Sequence, residues 1–276
     1  MKYQVELIGK DAYLLGEGPY YDPRYKRLSW VDIVGKKLWM MQDGKQESVN
    51  LPQLVGAAIP MAESDGFIVA LQDGLYQYQN GELKPFVDLK HTYKEYWRSN
   101  DAKADAKGRI FFGAIVEGDG HEPEGGLYCY DKGETRCLIG DTKLANGMAW
   151  SSDQKKFYFS DSAEHAVFAF DYDVESGAIS NRKTLFTVED GVPDGMTIDA
   201  EDNLWVAIWG GSRVEKRSGR TGELLDTIKL PAKQVTSCCF GDEDWMTLYI
   251  TSAQVGLDGA FDGCLFQCRV VPWGRG

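Results

Sequence analysis

The sequence of 276 residues predicts an all-β chain, a six-bladed β-propeller with four antiparallel strands per blade, and three observations lead there. An order of parts recurs along it: an acidic or amide residue, a short apolar strand, a polar turn and a second apolar strand. The clearest copy is GVPDGMTIDAEDNLWVAIW at 191–209, with others at 146–159 (NGMAWSSDQKKFYF), 100–113 (NDAKADAKGRIFFG) and 17–30 (EGPYYDPRYKRLSW). The copies are evenly spaced. With weaker ones around Ala58 and Thr236, the starting positions 17, 58, 100, 146, 194 and 236 are separated by 41, 42, 46, 48 and 42 residues. That is blade spacing, roughly 40–50 residues per four-stranded unit. Finally, convincing amphipathic helical periodicity is absent; residues 102–107 have helix-friendly composition but fall inside a copy.

Each element follows from the repeat. Residues 3–8 (YQVELI) precede the first copy and the last copy ends near Val270, so the N-terminal strand is expected to complete the final blade and remove an exposed edge. Within the copies, the first two strands are joined by tight polar turns: DPRYK at 22–26, ESDG at 63–66, DAKG at 105–108, SDQKK at 152–156, DAED at 199–202 and GDED at 241–244. Asp, Gly and Pro are what such turns demand. Third strands read as KLWMM (37–41), GLYQY (74–78), GLYCY (126–130), AVFAF (166–170) and CLFQC (264–268).

Residues 1–276 are expected to form one domain, since a chain with 43% hydrophobic residues can bury a large core and all-β domains of this length are common. A formal net charge of −12 argues against nucleic acid or an anionic membrane as a partner. No apolar run is long enough to span a bilayer and no signal-peptide core is visible, which points to the cytoplasm. Cys129, Cys137, Cys238, Cys239, Cys264 and Cys268 form no CxxC pair and read as reduced structural thiols. No obligate protein partner is evident.

Strands in a blade run up and down, so the starts of the first strands and the ends of the second share one face of the disc. The first strands line the axis, which gathers Glu17, Asn100, Asn146 and Asp194 at the channel mouth. The loops 116–125, 209–213 and 253–263 join them there. Four oxygen-bearing side chains converging at low dielectric call for a hard cation such as calcium, magnesium or manganese. The alternative is that each merely caps a turn, which explains one such residue better than four at the same repeat position. Only His91, His121 and His165 are present, without a GxSxG elbow, P-loop or dinucleotide fingerprint.

The strings GEGP (16–19) with VDI (31–33), RSNDAKAD (98–105), NGMAWS (146–151), FYFSDS (157–162), AFDYD (169–173), PDGM (193–196) with LWVA (204–207), and TSCCFG (236–241) resemble the SMP-30/gluconolactonase/regucalcin family, close to its regucalcin branch. The resemblance covers almost the whole chain. It implies that Glu17, Asn146 and Asp194 hold one divalent metal, calcium first, with zinc, manganese or magnesium as alternatives. It also implies that Asp194 is the catalytic acid/base, with a cation-held hydroxide as rival, and that Arg98, Asn100 and Glu117 bind substrate. The implied activity is hydrolysis of a sugar lactone to an aldonic acid. Other readings are a calcium-binding regulatory protein of the regucalcin type and a phosphotriesterase-like propeller. The 117–125 loop and a shorter 253–263 segment depart from the regucalcin pattern and bear on sugar preference. Trp30, Trp150 and Trp205 are expected in the core, Trp209 either against a ligand or between blades, and His121 as a solvated loop residue.

Overall fold

The computed structural model describes residues 2–118 and 120–270, and these form six four-stranded antiparallel sheets. Their inner strands are Gly16–Asp22, Val55–Pro60, Trp97–Ala104, Ala145–Trp150, Val192–Ile198 and Gln234–Gly241, numbered here as blades 1 to 6. Each inner strand packs on the next and the sixth packs on the first, closing the ring of a six-bladed propeller. Blade 6 is completed as the sequence predicts: Val5–Ile8 pairs antiparallel with Leu265–Arg269, Val5 facing Cys268 and Ile8 facing Leu265.

Burial is greatest in the second strands and falls towards the rim, and the sequences follow it. Second strands such as Phe67–Leu71 and Thr247–Ala253 are buried along their whole length, because they are covered on both faces. The rim strand Lys45–Asn50 (KQESVN) is largely exposed and correspondingly polar. The core therefore lies between blades. Phe111 and Cys129 of blade 3, for example, pack with Met148, Phe157 and Phe159 of blade 4, and burying each large apolar side chain contributes about 1.5–3 kcal/mol. Trp30 and Trp205 are fully buried, while Trp150 packs partly covered against Phe111 and Phe157.

Turn aspartates organise the face opposite the site. Asp105 Oδ1 accepts the N–H groups of Lys107 and Arg109 at 2.9 Å, and Asp199 Oδ1 accepts those of Glu201 at 3.0 Å and Asn203 at 2.9 Å. These local bonds reverse the chain between the first two strands. Residues 102–104 are extended despite their helix-friendly composition.

The inner strands also share a register irregularity near their mouth ends. In blades 3, 4 and 5 two residues of the inner strand stand opposite one of its neighbour: Asn100-Asp101, Asn146-Gly147 and Asp194-Gly195. Such bulges re-aim side chains, here at the axis. In blade 2 the irregularity falls at Gly56, which corrects the alignment on Ala58; Ala58 is paired in register with Val69. Gly56 can bring no side chain to the axis, since a Cβ there would lie 2.2 Å from the Asn100 carbonyl oxygen. In blade 6 the residue is Thr236, whose hydroxyl donates to the Gly16 carbonyl at 2.6 Å.

Candidate active site

Aspartates at the ends of two second strands shape the mouth. Asp32 accepts the N–H groups of Leu14 and Leu15 at 3.1 and 3.0 Å, and Asp161 accepts those of Lys143 and Leu144 at 2.8 and 2.9 Å. Both fix the chain just before an inner strand, one carrying Glu17 and the other Asn146. The result is a cavity of about 300 Å³ lined by Glu17, Arg98, Asn100, Asn146, Ser162 and Asp194, with an apolar wall that includes Ile33, Ile115 and Trp209. Concavities of about 510 and 460 Å³ near Asp244 are larger, but they lie by the opposite turns and hold no buried unpaired carboxylate.

Five of the six sequence-predicted residues thus line one cavity, all of them buried. Asn146 Nδ2 donates to Ser162 Oγ at 3.1 Å, and Ser162 Oγ donates to the Pro193 carbonyl at 2.7 Å. This fixes the amide and leaves Asn146 Oδ1 without a partner; Asp194 Oδ1 is buried and unpaired as well. Glu17 Oε2 accepts its neighbour's Gly18 N–H at 2.8 Å. Asn100 is held on both sides, its Nδ2 donating to the Ala145 carbonyl at 2.9 Å and its Oδ1 accepting from Arg98 Nη1 at 2.8 Å. Arg98 Nη1 also donates to the Ser99 carbonyl, and Arg98 Nε pairs with Glu117. Glu117 stands at the rim, partly exposed, and reaches the cavity through Arg98.

The electrostatics are those of crowded carboxylates. Burial first and Asp101 second push Glu17 up to about 8, against the weaker opposing pull of the Gly18 N–H, Arg98 and Lys103. Asp194 is driven well above the usual carboxylate range by burial, then by Glu17 and Asp101. An unpaired buried oxygen is costly, and here two of them, one amide and one carboxylate, share a cavity wall with a second carboxylate, Glu17. A hard cation fits this oxygen set. No set of three His, Cys, Asp or Glu side chains among the described residues is gathered for a metal, so Asn146 is integral to the fit.

Sequence reasoning passed over Ser162, Asp101 and Lys103. The signal for Asp101 was available, since it stands beside Asn100 where the other copies have glycine after Asn146 and Asp194. His121 is exposed in its loop, as expected, and also stacks on Tyr96 with ring centroids 3.7 Å apart; Tyr96 in turn donates to Glu124 at 2.7 Å. Trp209 lines the cavity.

A ring of six blades with buried, unpaired oxygens at its axis defines a class of propellers built around an axial polar site. Residues 15–254 match the SMP-30/Gluconolactonase/LRE-like region, and the chain belongs to that family. It is 37% identical over 270 residues to regucalcin of Danio rerio, covering 92% of this chain and 88% of that one. Among solved structures it is similar to a luciferin-regenerating enzyme, with TM-score 0.91 and 34% identity over 99% of this chain and 96% of the other. A gluconolactonase from Xanthomonas campestris has the same fold, with TM-score 0.80 and 21% identity over 98% of this chain and 90% of that one. Among the described residues no helix is long and apolar enough to cross a membrane.

Proposed function

We propose that the chain is a divalent-cation-dependent hydrolase that opens sugar-acid lactones in the cytoplasm, with no obligate protein partner. The observation that carries this reading is the pair of buried unpaired oxygens, Asn146 Oδ1 and Asp194 Oδ1, in a cavity that also holds Glu17, Arg98 and Asn100. Membership of a family described in part by gluconolactonase supports it. Glu17, Asn146 and Asp194 would hold the cation, and calcium suits three oxygen donors better than zinc does. When bound, a divalent cation supplies polarisation of the lactone carbonyl and stabilisation of charge developing on oxygen.

The chain's own residues do the rest. Asp194, buried in the cavity wall, accepts the proton of the attacking water and returns it to the ring oxygen as the ring opens. Ser162 holds Asn146 in one orientation. Arg98, oriented by Glu117, and Asn100 present polar groups to substrate hydroxyls, while Ile33, Ile115 and Trp209 limit water on the other side. A site whose polar groups need partners favours polyhydroxylated over apolar lactones. The test is turnover of a panel of sugar and aliphatic lactones after metal stripping and after add-back of calcium, manganese, magnesium or zinc. Activity should vanish on stripping and return with a cation; full turnover by metal-free protein would overturn the proposal. Cation binding without turnover of any lactone would instead favour a calcium-binding regulatory role.

A further inference from the structure

Blade 3 departs from its neighbours at the axial bulge. In blades 4 and 5 the residue after the cavity side chain is glycine, because the next blade is too close for anything larger. A Cβ on Gly147 would lie 2.4 Å from the Asp194 carbonyl oxygen, and one on Gly195 would lie 2.1 Å from Ser237 Oγ. Blade 3 has Asp101 in that place. Asp101 is 5% exposed, its Oδ2 has no hydrogen-bond partner, and its charge acts on both Glu17 and Asp194. Two residues further on, Lys103 Nζ donates to the Met148 carbonyl at 2.9 Å and to the Met196 carbonyl. Those carbonyls stand two residues beyond Asn146 and Asp194, so one ammonium group ties blade 3 to both strands.

The charges at the axis then have a definite sum. Glu17, Asp101 and Asp194 bring three negative charges when ionised, Lys103 brings one positive, and Arg98 is matched by Glu117. Two negative charges remain, the complement of one divalent cation.

We infer that Asp101 is a positioning residue of the cation site, a third carboxylate that sets the charge of the axis from outside the cavity wall, with Lys103 bracing the strands that carry Asn146 and Asp194. This rests on the reading of the cavity as a cation site. Lys103 holds the count at two rather than three, which matches the site to divalent ions.

The test is Asp101→Asn, an isosteric change, with Ca²⁺ and the similarly sized Tb³⁺ as probes; Trp209 in the cavity wall serves to sensitise Tb³⁺ emission. The energy of an ion in the field of a lost unit charge scales with the ion's own charge. A loss of about tenfold in Ca²⁺ affinity should therefore accompany about thirtyfold for Tb³⁺. The cation-free variant should melt at or above the wild type, since a buried carboxylate facing two others has been neutralised. Undiminished affinity for both ions would overturn the inference while leaving the cation site standing. An equal loss for the two ions with a lowered cation-free melt would also overturn it, marking Asp101 as structural. Wild-type protein that binds neither ion would remove the cation site itself, and this inference with it.

Discussion

Asp194→Asn separates chemistry from structure at this axis. The bulge tolerates the change: blades 3 and 4 already place Asn100 and Asn146 at the equivalent position, and Gly195 behind it is untouched. Asparagine keeps an oxygen but removes the charge and the basicity. Losing a positioned proton acceptor costs about 10²–10⁴-fold in rate, so turnover at saturating cation should fall by at least a hundredfold. Stability should move differently. Asp194 is buried and its charge is opposed by those of Glu17 and Asp101, so the cation-free variant should melt no lower than the wild type. Cation stabilisation should shrink: a ligand at a hundred times its Kd stabilises the folded state by about 2.7 kcal/mol, or roughly 5 °C for a domain of this size, and the variant should show only a fraction of that. The assays are lactone turnover by acid release and thermal melts with and without chelator. Near-wild-type turnover under saturating cation would refute the catalytic role of Asp194, leaving it a residue that merely shapes the bulge.

Three further outcomes are expected. In chelated protein the melting temperature should fall as pH rises from 4.5 towards 8: folded Glu17 sits near 8, so between these values the folded state binds more protons than the unfolded one, and stability present at low pH is lost; saturating cation should flatten that slope, and a chelated protein whose melt is level or rising across the window would contradict the placement of the carboxylates. Arg98→Ala should raise KM for a polyhydroxylated lactone about tenfold or more, with little change for a simple aliphatic lactone, and unchanged constants for both would remove Arg98 from substrate binding. Gly147→Ala should lower the melting temperature and weaken cation binding together, because its Cβ would be forced against the Asp194 carbonyl oxygen; a variant that melts and binds like the wild type would show that the two inner strands are less tightly opposed than described.

The repeat of turn and apolar strand, read from the chain alone, determined the six blades and the closure by the N-terminal strand. Strand alternation, Asx turns such as those at Asp105 and Asp199, and fully apolar second strands are local properties, and a regular spacing leaves a ring as the way to bury both faces of each sheet. Asn100, Asn146 and Asp194 were legible for the same reason, since equivalent positions in a cyclic repeat must converge; Glu17, aligned with them in the sequence, is instead paired with Val31 one residue before the blade 1 bulge at Gly18-Pro19 and reaches the same cavity from there. What repetition cannot express is the difference between blades. Gly56 brings nothing to the axis because the neighbouring backbone stands too close, and Thr236 spends its hydroxyl on Gly16. Asp101 becomes a buried third carboxylate, and Lys103 a brace across two neighbours, only when three strands distant in sequence meet. Sequence placed oxygen at the axis; the close approach of the inner strands decided which oxygens are left unpaired, because burial and the hydrogen bonds that relieve it are properties of the assembled ring.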